Sequence, residues 1–164
     1  MKMDTEGPYA LHENTGVVDV WWLGGKMSLK ATGADTEGRF AQLLATDPRG
    51  TAAPLHLHEE ASETFYVVDG EVTLFVGDDE IDLGPGEFAL VPPGVTHSYL
   101  VRSGEARFFA TIVPAGTEGF FTELGTPVVP GEAQPAFVPP DPEEFARRAA
   151  SYGIQVVGPP PTLG

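Results

Sequence analysis

The chain contains no cysteine among its 164 residues. That excludes disulfides, thiolate metal ligands and a cysteine nucleophile, and it fits any redox compartment. Positive charge is scarce too: nine lysines and arginines stand against 24 acids, a formal net charge of −15. A surface this acidic repels phosphate backbones and anionic lipid, so neither nucleic acid nor a membrane is an expected partner. No apolar run approaches the roughly 20 residues that span a bilayer. The opening Met1-Lys2-Met3-Asp4-Thr5-Glu6 has no apolar stretch and carries early acids, unlike a secretory signal. The expectation is a cytoplasmic protein.

Glycine and proline are abundant, 20 and 16 residues, and they punctuate many short apolar runs. At this length a hydrophobic fraction of 41% suffices for one core. Strands are expected at residues 17–23, 26–31, 39–46, 54–58, 62–69, 71–76, 87–91, 95–101 and 106–113. Asp35 to Gly38 reads as a loop, and Asp78-Asp79-Glu80 as a turn and nothing more. Gly70 alone separates two strands, which marks a sharp bend rather than a two-residue hairpin. Many short strands with frequent turns argue an all-β sandwich or barrel.

The character changes after Pro114. Thr117 can cap a short helix covering Phe120, Phe121 and Leu124, with Gly125 past its end. A proline-rich extended stretch follows. Asp141-Pro142-Glu143-Glu144 then starts a second helix, with a capping acid, proline at the first position and acids at the positive end. Gly153 ends it, and the tail from Gly158 reads as loose. Residues up to about Thr15 are polar and read as an exchanging arm or a frayed end. One domain is expected over 1–164, with a barrel core at about 17–113 and a helical extension at 114–164.

Three of the four histidines fall in two short segments. The first is Gly50-x5-His56-x-His58-x4-Glu63-x6-Gly70, the second Gly86-x5-Pro92-x-Gly94-x2-His97. Residues two apart in a strand share a face. His56 and His58 can therefore present both rings to one point, and Glu63 and His97 can close the set from neighbouring strands. Three imidazoles and a carboxylate suit a divalent transition metal. By the same parity, Phe65 and Val67 follow Glu63 inward, and Val95, Tyr99 and Val101 accompany His97. They form an expected apolar and aromatic substrate pocket. Glu59 and Glu60 read as solvated loop acids, His12 as a surface residue, and Arg147 and Arg148 as cations suited to a helix end. Trp21 and Trp22 are adjacent and must face opposite ways.

The two segments resemble the paired motifs of the cupin superfamily, G-x5-H-x-H-x3,4-E-x6-G and G-x5-P-x-G-x2-H-x3-N. Every position is met except the last, where Val101 stands in place of asparagine, which is not a ligand. The resemblance implies a single cupin domain, an all-β double-stranded β-helix or jelly-roll barrel with a short C-terminal helical extension. It also implies one divalent ion per chain (nickel, cobalt, manganese, iron, copper or zinc) and pairing into a homodimer.

Within that superfamily the chain resembles bacterial quercetin 2,3-dioxygenases of the single-cupin type. The likeness extends to Pro114-x-Gly116-Thr117-x2-Phe120-Phe121-x-Glu123-Leu124-Gly125-Thr126-Pro127 and Phe137-Val138-Pro139-Pro140-Asp141-Pro142-Glu143-x-Phe145. It implies oxygenative ring cleavage of a flavonol, or a similar enolisable aromatic, with dioxygen as co-substrate and release of carbon monoxide. His56, His58 and His97 would hold the metal, and Glu63 would be both ligand and catalytic base. Cupins host many chemistries. A metal-dependent isomerase or decarboxylase acting on a small polar metabolite is therefore the alternative, and a non-catalytic metal or small-ligand binder is the third reading. The isomerase or decarboxylase reading calls for further charged residues inside the barrel, where Glu63 is the one obvious acid.

Overall fold

Alternation of apolar and polar side chains, broken by glycine and proline, yields twelve strands and three short helices in the computed structural model, which describes residues 7–164. In chain order these are β1 (Val18–Trp22), β2 (Gly25–Ala31), α1 (Gly33–Thr36), β3 (Ala41–Pro48), β4 (Leu55–His58), β5 (Ser62–Asp69), β6 (Val72–Val76) and β7 (Asp79–Leu83). They continue with β8 (Phe88–Val91), β9 (His97–Val101), β10 (Glu105–Val113), α2 (Glu118–Leu124), β11 (Thr126–Pro127), α3 (Pro142–Ala150) and β12 (Ile154–Gly158). All strand pairs are antiparallel. A seven-stranded sheet runs β11-β1-β2-β3-β10-β5-β8 and a five-stranded sheet β12-β4-β9-β6-β7. This is the expected all-β class with a short C-terminal helix.

The core lies between the inward rows of the two sheets. Ala106, Phe108, Ala110 and Ile112 alternate inward along β10, and Glu63, Phe65 and Val67 along β5. Val72, Leu74 and Val101 face them from the other sheet. Full burial of one such side chain contributes about 1.5–3 kcal/mol. Gly70 is where the chain leaves the seven-stranded sheet after β5 and enters the five-stranded sheet at β6. Its φ is +80°, and an added Cβ would lie 2.3 Å from the Glu105 carbonyl oxygen. Only glycine meets both conditions.

The C-terminal extension closes one end of the barrel. Phe120 and Phe121 of α2 and Phe145 of α3 surround Trp22, with ring centroids 5.2, 5.1 and 5.9 Å away. α3 begins as its sequence demands: the Asp141 carboxylate accepts from the Glu144 N–H at 2.9 Å, and Pro142 follows in the first turn. Trp22 is buried and Trp21 half-buried, as adjacency required.

Three elements differ from the sequence expectation. Asp78-Asp79-Glu80 is not merely a turn: Gly77 and Asp78 form the turn, and β7 runs on from Asp79 to Leu83 against β6. β7 is a sheet edge with four exposed residues, so it carries little of the apolar signal that marks a strand. Residues 33–36 make one helical turn rather than a loop. The Asp35 carboxylate there accepts from the Thr32 N–H and hydroxyl, both at 2.8 Å. β12, unforeseen, pairs with β4, a partner nearly a hundred residues earlier. Residues 1–6 of the expected N-terminal arm lie outside the described residues. No helix among the described residues is long and apolar enough to cross a membrane.

Gly70→Ala is expected to destabilise the protein by about 2 kcal/mol or more, combining backbone strain with a clash against fixed backbone. Urea unfolding measures it; an unchanged midpoint would refute this account of the crossover.

Candidate metal centre

His56 and His58 occupy alternate positions of β4, Glu63 lies near the start of β5 and His97 opens β9. His56 and His97 are direct cross-strand partners, their ring centroids 4.4 Å apart. The turn before β9 is tied to β4, because the Gly94 N–H donates to the His58 carbonyl at 2.8 Å. Gly94 has φ +77°, which glycine adopts without strain. The two sequence segments are thus welded into one unit, and the donor atoms of His56, His58, Glu63 and His97 all lie within 4.8 Å of one another.

Two of the three rings are fixed by backbone. His56 Nδ1–H donates to the Pro54 carbonyl at 2.7 Å, and His97 Nδ1–H to the Val95 carbonyl at 2.9 Å. Each Nε2 is then left with a lone pair directed into the site, the arrangement expected of metal-ligating histidine. His58 Nδ1 is buried and has no hydrogen-bond partner, and the contact of its Nε2 with the Glu63 carboxylate at 2.8 Å favours the ring proton on Nε2.

Glu63 Oε2 lies 2.8 Å from His58 Nε2 and 2.9 Å from His97 Nε2. With the His97 proton on Nδ1, its Nε2 and this carboxylate oxygen are two acceptors in contact. Such a contact is repulsive unless a cation, a proton or a metal ion, sits between them. The donor set and this geometry both fit a divalent transition metal.

The electrostatics follow. Burial would raise the Glu63 carboxyl, but hydrogen bonds from His58 and His97 outweigh it and hold the group well below its ordinary value. Burial, then His97, depress His56 to about 4, so its ring is neutral at physiological pH. Burial lowers His97, but the Glu63 hydrogen bond and charge reverse this and leave it raised.

The site opens on a cavity of about 60 Å³, walled by Phe65, Tyr99 and Phe108 of the barrel and by Trp22, Phe120 and Phe145 of the closed end. Phe65 and Tyr99 are therefore on the cavity wall. Val67 and Val101 point inward but are buried in the core, off the wall, and Val95 packs on the core just before β9. Strand parity found the right face for them. Each further step of two residues, however, carries a side chain about 6.6 Å along the strand.

Asp47 escaped sequence reading. It is 3% exposed, and its Oδ2 accepts from the Tyr99 hydroxyl at 2.9 Å. Burial pushes its carboxyl up to about 7, partly opposed by that hydrogen bond. The signal was available: Ala41, Leu43 and Ala45 alternate inward, and Asp47 continues their row. Ending the strand at Thr46 hid it.

Comparison with known proteins agrees with this geometry. Residues 43–113 match the model of the cupin domain family. Quercetin 2,3-dioxygenase of Bacillus subtilis (strain 168) is 34% identical over 121 residues, covering 73% of this chain and 35% of the relative. Quercetin 2,3-dioxygenase of Aspergillus japonicus is 32% identical over 102 residues, covering 58% of this chain and 29% of the relative. The chain thus spans about a third of the length of the curated relatives it matches. An RmlC-like cupin from Shewanella frigidimarina NCIMB 400 superposes with a TM-score of 0.58 at 22% identity, over 69% of this chain and 96% of that one.

Two outcomes follow. Metal affinity is expected to fall with decreasing pH, by up to about tenfold per unit below the raised His97 pKa, because proton and metal compete for one position. Titration of metal into the protein at pH 8 and pH 5 checks this; equal affinity would contradict it. The Asp47 carboxyl is raised on folding, so its contribution to stability is full below about pH 4 and lost as pH climbs to about 7. Asp47→Asn keeps an acceptor for Tyr99 and should stabilise by about 3–4 kcal/mol at pH 8, the gain vanishing towards pH 4. Thermal melts across that range measure it.

Proposed function

The chain belongs to the cupin superfamily and resembles bacterial quercetin 2,3-dioxygenase, and we propose that it is a metal-dependent oxygenase that cleaves a flavonol or similar enolisable aromatic with dioxygen. The observation that carries this reading is a four-donor cluster opening onto a cavity lined mostly by aromatic and aliphatic side chains. His56, His58, Glu63 and His97 would hold one divalent transition ion. Such an ion supplies Lewis acidity and a meeting point for an enolic oxygen and dioxygen.

The protein's own groups do the rest. Glu63 is ionised, and its Oε2 is committed to His58 and His97, which leaves Oε1 as the oxygen that takes the proton of the substrate hydroxyl. General-base catalysis of this kind is worth roughly 10²–10⁴-fold. Phe65, Phe108 and Phe145 exclude water from the site, which strengthens every charge interaction in it. The Tyr99 hydroxyl is pinned by Asp47, so it meets the substrate in one orientation.

A second reading is a metal-dependent isomerase or decarboxylase acting on a small polar substrate. Asp47 favours it, as a second buried acid reaching the cavity through Tyr99, and so does the small volume beside the metal ligands. Pairing into a homodimer belongs to both readings. Tyr66, Phe88 and Leu90, exposed on the β5–β8 edge, support it.

The test is dioxygen uptake with quercetin, using protein stripped and reloaded separately with nickel, cobalt, manganese and iron. Uptake with at least one metal is expected, reduced about 100-fold or more in Glu63→Gln with metal still bound. Stoichiometric loading without uptake for any metal would overturn the oxygenase reading in favour of the second.

A further inference from the structure

The cavity beside the metal ligands, about 60 Å³, has room for a few waters. Pockets that enclose a drug-sized ligand run from about 300 Å³ upward. The body of a planar polycyclic substrate must therefore lie elsewhere while its chelating oxygens reach the metal. An apolar groove of about 620 Å³ adjoins the cavity, and the two share Leu23, Pro54, Phe145 and Val156 as common wall. Val156 is held by the β4–β12 pairing opposite His56, and Pro54 precedes β4 with its carbonyl bound by the His56 ring. Phe145 is buried and packed on Trp22 and Phe120, which leaves Leu23, half-buried on a turn, as the part of the partition outside the packed core.

Leu23 stands out on its own account. It forms, with Gly24, the two-residue turn between Trp22 and Gly25, and its φ is +48°. Asparagine, aspartate and glycine suit that position, and a branched apolar residue is strained there. The turn is clasped from the groove side. Gln134 Nε2 donates to the Gly24 carbonyl at 2.9 Å, and the Phe137 ring packs 3.5 Å from where a Gly24 Cβ would stand. Phe137 is also a wall of the groove.

We propose that the groove is a binding subsite for the planar apolar rings of the substrate, and that Leu23 is the specificity-determining residue between it and the metal cavity. The proposal rests on the oxygenase reading. The occupant is apolar because the groove presents proline rings and Phe137, and it is not an anion because the chain carries a net charge of −15. A substrate small enough for the inner cavity makes no use of the groove; a flavonol spans both spaces past Leu23.

The experiment uses metal-loaded protein without dioxygen, so that binding is read without turnover. Two probes are compared: quercetin, and maltol, which keeps the chelating hydroxypyranone unit but lacks the aryl rings. Phe137→Ala removes a groove wall at a half-exposed position. Leu23→Gly opens the partition at the turn and suits the positive φ, so its melting temperature should not fall. Phe137→Ala is expected to weaken quercetin at least tenfold, and Leu23→Gly to speed quercetin association at least tenfold. Both should leave maltol affinity within twofold. Quercetin binding indifferent to both variants, or equal effects on both probes, would overturn the subsite while leaving the oxygenase reading intact. Metal-loaded protein that binds neither probe would overturn that reading and the subsite with it. Quercetin binding lost in Phe137→Ala, in a protein that consumes no dioxygen, would sustain the subsite alone.

Discussion

A carboxylate buried against two imidazole nitrogens is the constraint on which this molecule turns. Glu63 is 8% exposed, and among the described residues no lysine or arginine pairs with it. A buried charge of this kind is tolerated only when paired. Its compensation comes from His58 and His97, which arrive on two different strands of the opposing sheet. The cluster therefore needs both sheets in place. The ring orientations need the backbone carbonyls of Pro54 and Val95, two residues before each ligand. The candidate ligand set and the packing of the two sheets belong to one unit.

The second determinant is what covers the open end of that unit. Without the C-terminal extension, Trp22 would face solvent and the site would be a wet mouth. Phe120, Phe121 and Phe145 turn it into an aromatic chamber, and β12 fastens the extension to the strand that carries His56 and His58. The same covering makes the chamber small. Leu23, at the tip of the β1–β2 turn, stands in the wall that this chamber shares with the larger apolar groove outside it. Barrel and extension thus contribute differently, one carrying the candidate metal ligands and the other walling the cavity beside them.

Much of this was legible in the chain. Strand parity placed His56, His58, Glu63 and His97 on inward faces, and the same rule put Phe65 and Tyr99 at the cavity. Glycine and proline marked nearly every bend, and Asp141-Pro142 marked the start of α3. What was not legible had weak local signals. β7 is a polar edge, and α1 is too short for periodicity. β12 is defined by a partner far away in the chain. Asp47 was hidden by a strand end drawn two residues early.

By itself the sequence determined the all-β class and picked out the four side chains that the fold gathers into one candidate metal site. Both depend on spacings of two within a strand and on residues that permit sharp turns, which are short-range properties of the backbone. Only the tertiary structure decided which inward side chains reach the cavity rather than the core, that Asp47 meets Tyr99, and that Leu23 and Phe145 separate the metal site from the outer groove. Those outcomes depend on distance along and between strands, and on contacts between segments about fifty to more than a hundred residues apart, which only packing the two sheets and the extension together can set.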